Sequence, residues 1–165
     1  MNTRIEEEMR NEQFMGNPLD IEFEDMNGEH TTLRALGGAS NERWIVVNVA
    51  SACGFTKQYT QLQETSTLDG ITVVGFPCNQ FGAQEPGTHQ EICDFTSAEY
   101  DVTFPLMAKI DVKGENQHPL FSELSQSTGS DEHTGDIRWN FEKFLVSKDG
   151  TVRRFTSRDL PSDML

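Results

Sequence analysis

The chain has 165 residues, 35% of them hydrophobic and 24% charged, enough for one compact domain with a sizeable core. Its 27 acidic and 13 basic residues give a net charge of −14, which excludes a phosphate-backbone partner and disfavours adsorption to an anionic membrane, since both need a basic face. No apolar run approaches the ~20 residues of a membrane span, and three cysteines make no secreted disulfide framework, so a cytoplasmic protein with reduced thiols is expected.

The opening "MNTRIEEEMRNEQFMGN" is acidic and lacks the apolar core of a signal peptide. Residues 1–18 read as a polar extension and 19–165 as the folded domain. "LDIEFEDMNGEHTTL" reads as a hairpin: Ile21 and Phe23 alternate with acids, and Asn27-Gly28 is a turn signal. "GGAS" (37–40) is a loop. "RWIVVNVA" (43–50) is short, apolar and rich in β-branched residues, as in a strand buried on both faces of a parallel sheet. Residues 56–68 read as a helix with Tyr59 and Leu62 inward, stopped by Asp69-Gly70; "ITVVGFP" (71–77) is a second buried strand. "THQEICDFTSAEY" (88–100) opens with a capping box, Thr88 with Glu91, and turns Ile92, Phe95 and Cys93 inward. A strand is expected over 104–112, a short helix over 118–126, a polar loop through "STGSDEHTGD", and a final hairpin around Asp149-Gly150. Hairpin, β-α-β-α-β-α, hairpin gives an α/β mixed sheet flanked by helices.

Ligands of open α/β sheets meet the chain at the carboxyl ends of strands. Cys53 stands just past the first long strand and just before a helix, where free N–H groups and the helix dipole favour a thiolate, hence a nucleophile. A buried inert cysteine fits that position equally well. Thr56 occupies the place a Cys-x-x-Cys pair would fill, so any chemistry there belongs to one thiol. The second strand ends in "GFPCNQFGAQEPGT" (75–88), whose amides Asn79, Gln80 and Gln84 offer neutral donors to a thiolate or bonds to the loop's own backbone. Trp139 and Asn140 stand just before the last hairpin, the indole as a donor or as packing.

Together "NVASACGFTKQYTQLQ", "GFPCNQFGAQEPGT", "TFPLMAKIDVKGE" and "WNFEKFLVSKDG" resemble the glutathione peroxidase family, collinearly from about Leu19 to about Ser157. The resemblance implies a thioredoxin-like fold with an extra N-terminal hairpin, and reduction of hydrogen peroxide and organic or lipid hydroperoxides without metal or organic cofactor. It places Cys53 at the peroxidatic position and Gln84, Trp139 and Asn140 at the family's other active-site positions. The thiol then becomes a sulfenic acid.

The chain also departs from the family pattern. Thioredoxin-using members carry a resolving cysteine where Thr96 stands here; Cys93, a turn earlier, is the only thiol on that helix and the candidate resolver. The insertion of tetrameric, glutathione-using members is absent between Lys113 and Trp139, so a monomer reduced by thioredoxin is expected, with glutathione or another small thiol as the rival reductant. A peroxide sensor that passes oxidation to a partner protein would share this site. The family's C-terminal helix is missing or cut short at "RDLPSDML". A zinc module on Cys78, His89 and Cys93 is disfavoured, because no Cys-x-x-Cys knuckle is present.

Overall fold

The computed structural model describes residues 16–165, so the N-terminal extension lies almost wholly outside the described residues. At the centre is strand β3 (Arg43–Val49), buried at every residue after Arg43. It pairs in parallel with β4 (Ile71–Pro77) and antiparallel with β5 (Lys143–Ser147), which forms a hairpin with β6 (Val152–Phe155). The sheet order is β4-β3-β5-β6. A small antiparallel pair, β1 (Phe23–Glu24) and β2 (His30–Thr31), stands apart from it.

Side chains alternate across a strand, so an unbroken apolar run serves two cores. Trp44 and Val46 with Val74, Phe76, Phe144 and Val146 pack on one face, against Leu120, Phe121 and Leu124. Ile45, Val47 and Val49 with Val73 and Leu145 pack on the other, against Tyr59, Leu62 and Phe141. The helices are α1 (Leu33–Gly37), α2 (Tyr59–Ser66) preceded by a 3₁₀ turn (Thr56–Gln58), α3 (His89–Tyr100) and α4 (Pro119–Leu124). Both halves of the α3 capping box form: the Glu91 N–H donates to Thr88 Oγ1, and the Thr88 N–H donates to Glu91 Oε1, each at 3.2 Å. One parallel β-α-β unit followed by an antiparallel hairpin, with helices on the faces, is the thioredoxin-like arrangement.

Three expectations are corrected. The first hairpin does not run to Leu33: Thr32 caps α1 through the Ala35 N–H (3.1 Å), and β2 stops at Thr31. Helix α2 ends at Ser66, and a turn leads to Gly70, whose φ of +76° suits glycine. Residues 104–112 form isolated bridges rather than a strand. Pro105 has no N–H to give a ladder, and the segment divides its bonds, Met107 N–H to the Gly75 carbonyl (2.9 Å) and Ala108 N–H to the Glu24 carbonyl (3.1 Å). It is a strap between β4 and the N-terminal hairpin. Near the C-terminus a 3₁₀ turn (Pro161–Met164) inserts the buried Met164 into the cluster that holds Tyr59 and Leu62. No helix among the described residues is long and apolar enough to cross a membrane.

Candidate active site

Cys53 is half-buried in the turn from β3 to the 3₁₀ turn before α2. Buried Thr56 fixes that turn: its Oγ1 accepts the Cys53 N–H (2.9 Å) and donates to the Ala50 carbonyl (2.8 Å), while its own N–H donates to the Cys53 carbonyl (3.1 Å). The Phe55 N–H then points at the Cys53 sulfur, 3.4 Å away. An N–H just before the 3₁₀ turn thus meets the sulfur.

The loop after β4 sorts its amides into two kinds. Asn79 Oδ1 accepts the Glu85 N–H (2.9 Å). Gln80 Oε1 accepts the N–H groups of Val112 (2.7 Å) and Lys113 (3.2 Å), and its Nε2 donates to the Lys113 carbonyl (2.9 Å). Asn79 thus serves the loop's own backbone and Gln80 that of residues 112–113. Gln84 instead accepts from Asn140, Nδ2 to Oε1 at 2.9 Å, which orients its amide and leaves its Nε2 with no acceptor among the described residues. Gly82 and Ala83 are both left-handed, at φ of +66° and +51°. For alanine that conformation costs about 1 kcal/mol, a strain typical of functional loops.

Trp139 and Asn140 come to the same place. The Trp139 ring lies 5.8 Å from the Phe81 ring, and a Cβ on Gly82 would meet it at 3.4 Å. Trp139 is 37% exposed, and its indole N–H has no acceptor among the described residues. Asn140 is fully buried, and its Oδ1 has no partner among the described residues. This unit is joined to the Cys53 turn through backbone: the Ala52 N–H donates to the Gln84 carbonyl (3.1 Å), and the Ser51 N–H and hydroxyl donate to Glu85 Oε1 at 3.2 and 2.5 Å. Glu85 is wholly buried, which pushes its pKa up against the Ser51 donors and the Lys109 charge.

Sequence reasoning missed the groups that hold the site. Asn48 donates through Nδ2 to the Trp139 carbonyl (3.0 Å), and its own carbonyl accepts the Phe141 N–H (2.6 Å). One buried amide inside an apolar strand was a legible signal. Glu85 and Lys143 carried none, since charged residues are ordinarily exposed. Lys143 is buried, donates to three carbonyls and has its pKa lowered by burial to about 7, against the opposing charges of Asp159 and Glu142.

The other two thiols lie elsewhere. Cys78 is a core residue whose thiol donates to Gln80 Oε1 (3.4 Å), and burial pushes its pKa up. Cys93 is half-buried on α3, its sulfur 3.1 Å from Met26 Sδ in the β1–β2 loop; burial, with Asp94 beside it, pushes its pKa up. Thr96, at the expected resolving position, is buried and donates to the Ile92 carbonyl (3.0 Å). Among the described residues no three metal-ligating side chains come together. The site therefore offers one half-buried cysteine, N–H donors without acceptors among the described residues, and loops strapped to each other.

Comparison with known proteins agrees. The Glutathione peroxidase family profile matches residues 19–125. The chain is 45% identical over 150 residues to Glutathione peroxidase-like peroxiredoxin 2 of Saccharomyces cerevisiae, covering 88% of this chain and 90% of that protein. It is 41% identical over 168 residues to Thioredoxin/glutathione peroxidase BtuE of Escherichia coli, covering 88% and 90%. The crystal structure of Trgpx in apo form matches at a TM-score of 0.69 and 34% identity, covering 90% of each chain. With a serviceable thiol in a thioredoxin-like frame and this kinship over most of its length, the chain belongs to the glutathione peroxidase family, as a cysteine-type, thiol-dependent peroxidase of hydroperoxides.

Proposed function

We propose that Cys53 is the peroxidatic nucleophile and that Gln84, Trp139 and Asn140 serve its reaction. The observation that carries this reading is the Asn140-to-Gln84 hydrogen bond of 2.9 Å, which leaves the Gln84 N–H groups unspent one loop away from the thiol. The Cys53 thiolate attacks the terminal peroxide oxygen, a new S–O bond forms, and the O–O bond breaks. The leaving alkoxide takes a proton and departs as alcohol, or as water from hydrogen peroxide. Gln84 and Trp139 donate to the charge that develops on oxygen; Asn140 orients Gln84. Cys53 is left as the sulfenic acid, which a thiol condenses to a disulfide with loss of water.

Thioredoxin is the reductant in this reading, and Cys93 the resolving thiol, within a cytoplasmic monomer whose catalytic domain begins at Leu19. The E. coli relative bears both thioredoxin and glutathione in its name. Resolution by Cys93 requires α3 to release the thiol from Met26, because a disulfide needs the two Cα atoms within roughly 7 Å. One observation favours the rival, a small external thiol: the raised pKa of Cys93, set mainly by burial, keeps it a poor nucleophile until it is freed.

Peroxide consumption with thioredoxin and with glutathione, measured side by side, tests the reading. Cys53→Ser abolishes turnover with both, whereas Cys78→Ser keeps most of it; thiol-dependent activity retained in Cys53→Ser refutes the assignment. After one equivalent of peroxide and thiol blocking, a Cys53–Cys93 linked peptide supports internal resolution. Sulfenic acid on Cys53, or sulfinic acid once a second equivalent is added, with Cys93 still alkylatable points to the external thiol.

A further inference from the structure

The turn that presents Trp139 and Asn140 is held in an unfavourable conformation. Phe141 follows them at φ of +63°, in the left-handed region that a bulky side chain rarely adopts. Its N–H is taken by the Asn48 carbonyl at 2.6 Å, and its ring is buried edge-on against Tyr59, centroids 5.4 Å apart. Its carbonyl accepts from Lys143 Nζ at 2.7 Å. The same ammonium donates to the carbonyls of Thr156 (3.3 Å) and Ser157 (3.2 Å), beyond β6. Ser157 in turn accepts from Gln58 Nε2 (2.8 Å), in the 3₁₀ turn that follows Cys53. One buried nitrogen thus ties the Trp139–Phe141 turn, the segment after β6 and the Cys53 side of the site.

We propose that Lys143 is a positioning residue for the peroxide reaction: its three hydrogen bonds clamp the left-handed Phe141 turn and so fix Trp139 and Asn140 against the Gln84 loop. An apolar residue of similar length fills the space but leaves the Phe141 carbonyl without a donor, and the Thr156 and Ser157 carbonyls with only the Asp159 N–H (3.3 Å) and Gln58 Nε2 (2.8 Å). This inference rests on the reading of Trp139 and Asn140 as groups that serve the reaction.

The charged and titratable groups around the clamp are few. Glu142 precedes Lys143 and is bonded to Arg154 of β6 (3.1 Å) and to Arg138 (3.3 Å). Asp159, beyond β6, accepts the Thr156 N–H (2.8 Å) and hydroxyl (3.1 Å). The 3₁₀ turn presents the neutral Gln58, and α2 the buried Tyr59, whose hydroxyl burial holds in its neutral form. Glu142 and Asp159 both favour the ammonium, and burial opposes it. Deprotonation removes one of the three N–H donors.

The test compares Lys143→Met with Lys143→Arg. Acrylamide quenching of Trp139, taken as the difference from Trp139→Phe in a Cys53→Ser background, reports the turn without reference to catalysis. In Lys143→Met the quenching constant rises about twofold. With Cys53 present, its oxidation by peroxide slows at least about tenfold while iodoacetamide alkylation of Cys53 changes by less than about twofold; Lys143→Arg recovers most of both losses. Folded Lys143→Met with wild-type quenching and oxidation rate overturns the proposal. If Lys143→Met does not fold, the Cys53→Ser protein decides: Trp139 quenching rises as Lys143 loses its proton near its pKa of about 7, and a flat profile from pH 6 to 9 overturns the clamp. Quenching that responds in Lys143→Met, with full oxidation rates in Trp139→Phe and Asn140→Ala, leaves the clamp standing and removes the catalytic reading of the two donors.

Discussion

Gln84 differs from Asn79 and Gln80 by what its amide has left over. The neighbours spend their acceptor oxygens on backbone N–H groups, as loop amides usually do. Gln84 spends only its oxygen, on a buried asparagine, so its N–H groups are left without an acceptor among the described residues. Trp139 likewise keeps an N–H without an acceptor among the described residues, held by its carbonyl to Asn48 while the residue stays 37% exposed. A hydrogen bond to a charged group is worth about 1.5–3 kcal/mol, and 1.4 kcal/mol is tenfold in rate. Gln84→Ala and Trp139→Phe should therefore each slow oxidation of Cys53 by peroxide roughly 10- to 100-fold, read in single turnovers that exclude the reductant. Wild-type rates in both variants would remove the donor role.

At the scale of elements, α3 stands out as lightly held. Of its residues only Ile92 and Thr96 are buried, with Phe95 and Tyr100 packed against the core from partly exposed positions. Its start depends on the Thr88–Glu91 capping box. A helix with so little burial opens locally at a fraction of the global unfolding free energy, and opening frees Cys93 from Met26. Losing an N-cap threonine costs about 1 kcal/mol, roughly fivefold in the open population. Thr88→Ala should raise the alkylation rate of Cys93 by about that factor and leave alkylation of Cys53 unchanged, and if Cys93 resolves the sulfenic acid, disulfide formation should quicken in step. Unchanged Cys93 alkylation would place the release of the thiol elsewhere than in the fraying of α3.

At the scale of the whole molecule, two of the buried ionisable groups, Lys143 and Glu85, tie stability to pH. Lys143 has a folded pKa of about 7 against an ordinary 10.5. The unfolded chain therefore binds more protons between those values, and stability rises with pH across that window. Its full contribution is present above 10.5 and is lost as pH falls through about 7. From pH 7 to 9 this gain is about 2 kcal/mol. Glu85 works the other way: its folded pKa is raised above 4.5, so the stability it contributes is present below 4.5 and is lost as pH rises through the folded value. Melting temperature should climb from pH 7 to 9 in the wild-type protein, and Lys143→Met should flatten the climb. An equal climb in the variant would assign it to other groups.

The local sequence determined the strands and helices wherever one rule governed them. "RWIVVNVA" fitted a strand buried on both faces, because its nearly continuous apolar run is short and β-branched, and the alternation of Trp44 and Val46 against Ile45 and Val47 fills two cores. Thr88 with Glu91 marked the start of α3, and Asn27-Gly28 and Asp149-Gly150 marked two turns, because caps and turns are made by residues close in the chain. The four motifs also named the family. Tertiary structure alone decided that residues 104–112 would be a strap, since their N–H groups are claimed by two separate neighbours, β4 and the N-terminal hairpin. It alone separated Gln84 from Gln80, because the difference is the partner, Asn140 in one case and the backbone at 112–113 in the other, each far along the chain. It also buried Glu85 and Lys143. A charged residue enters the core only where distant segments converge to hold it, and no local pattern records that convergence.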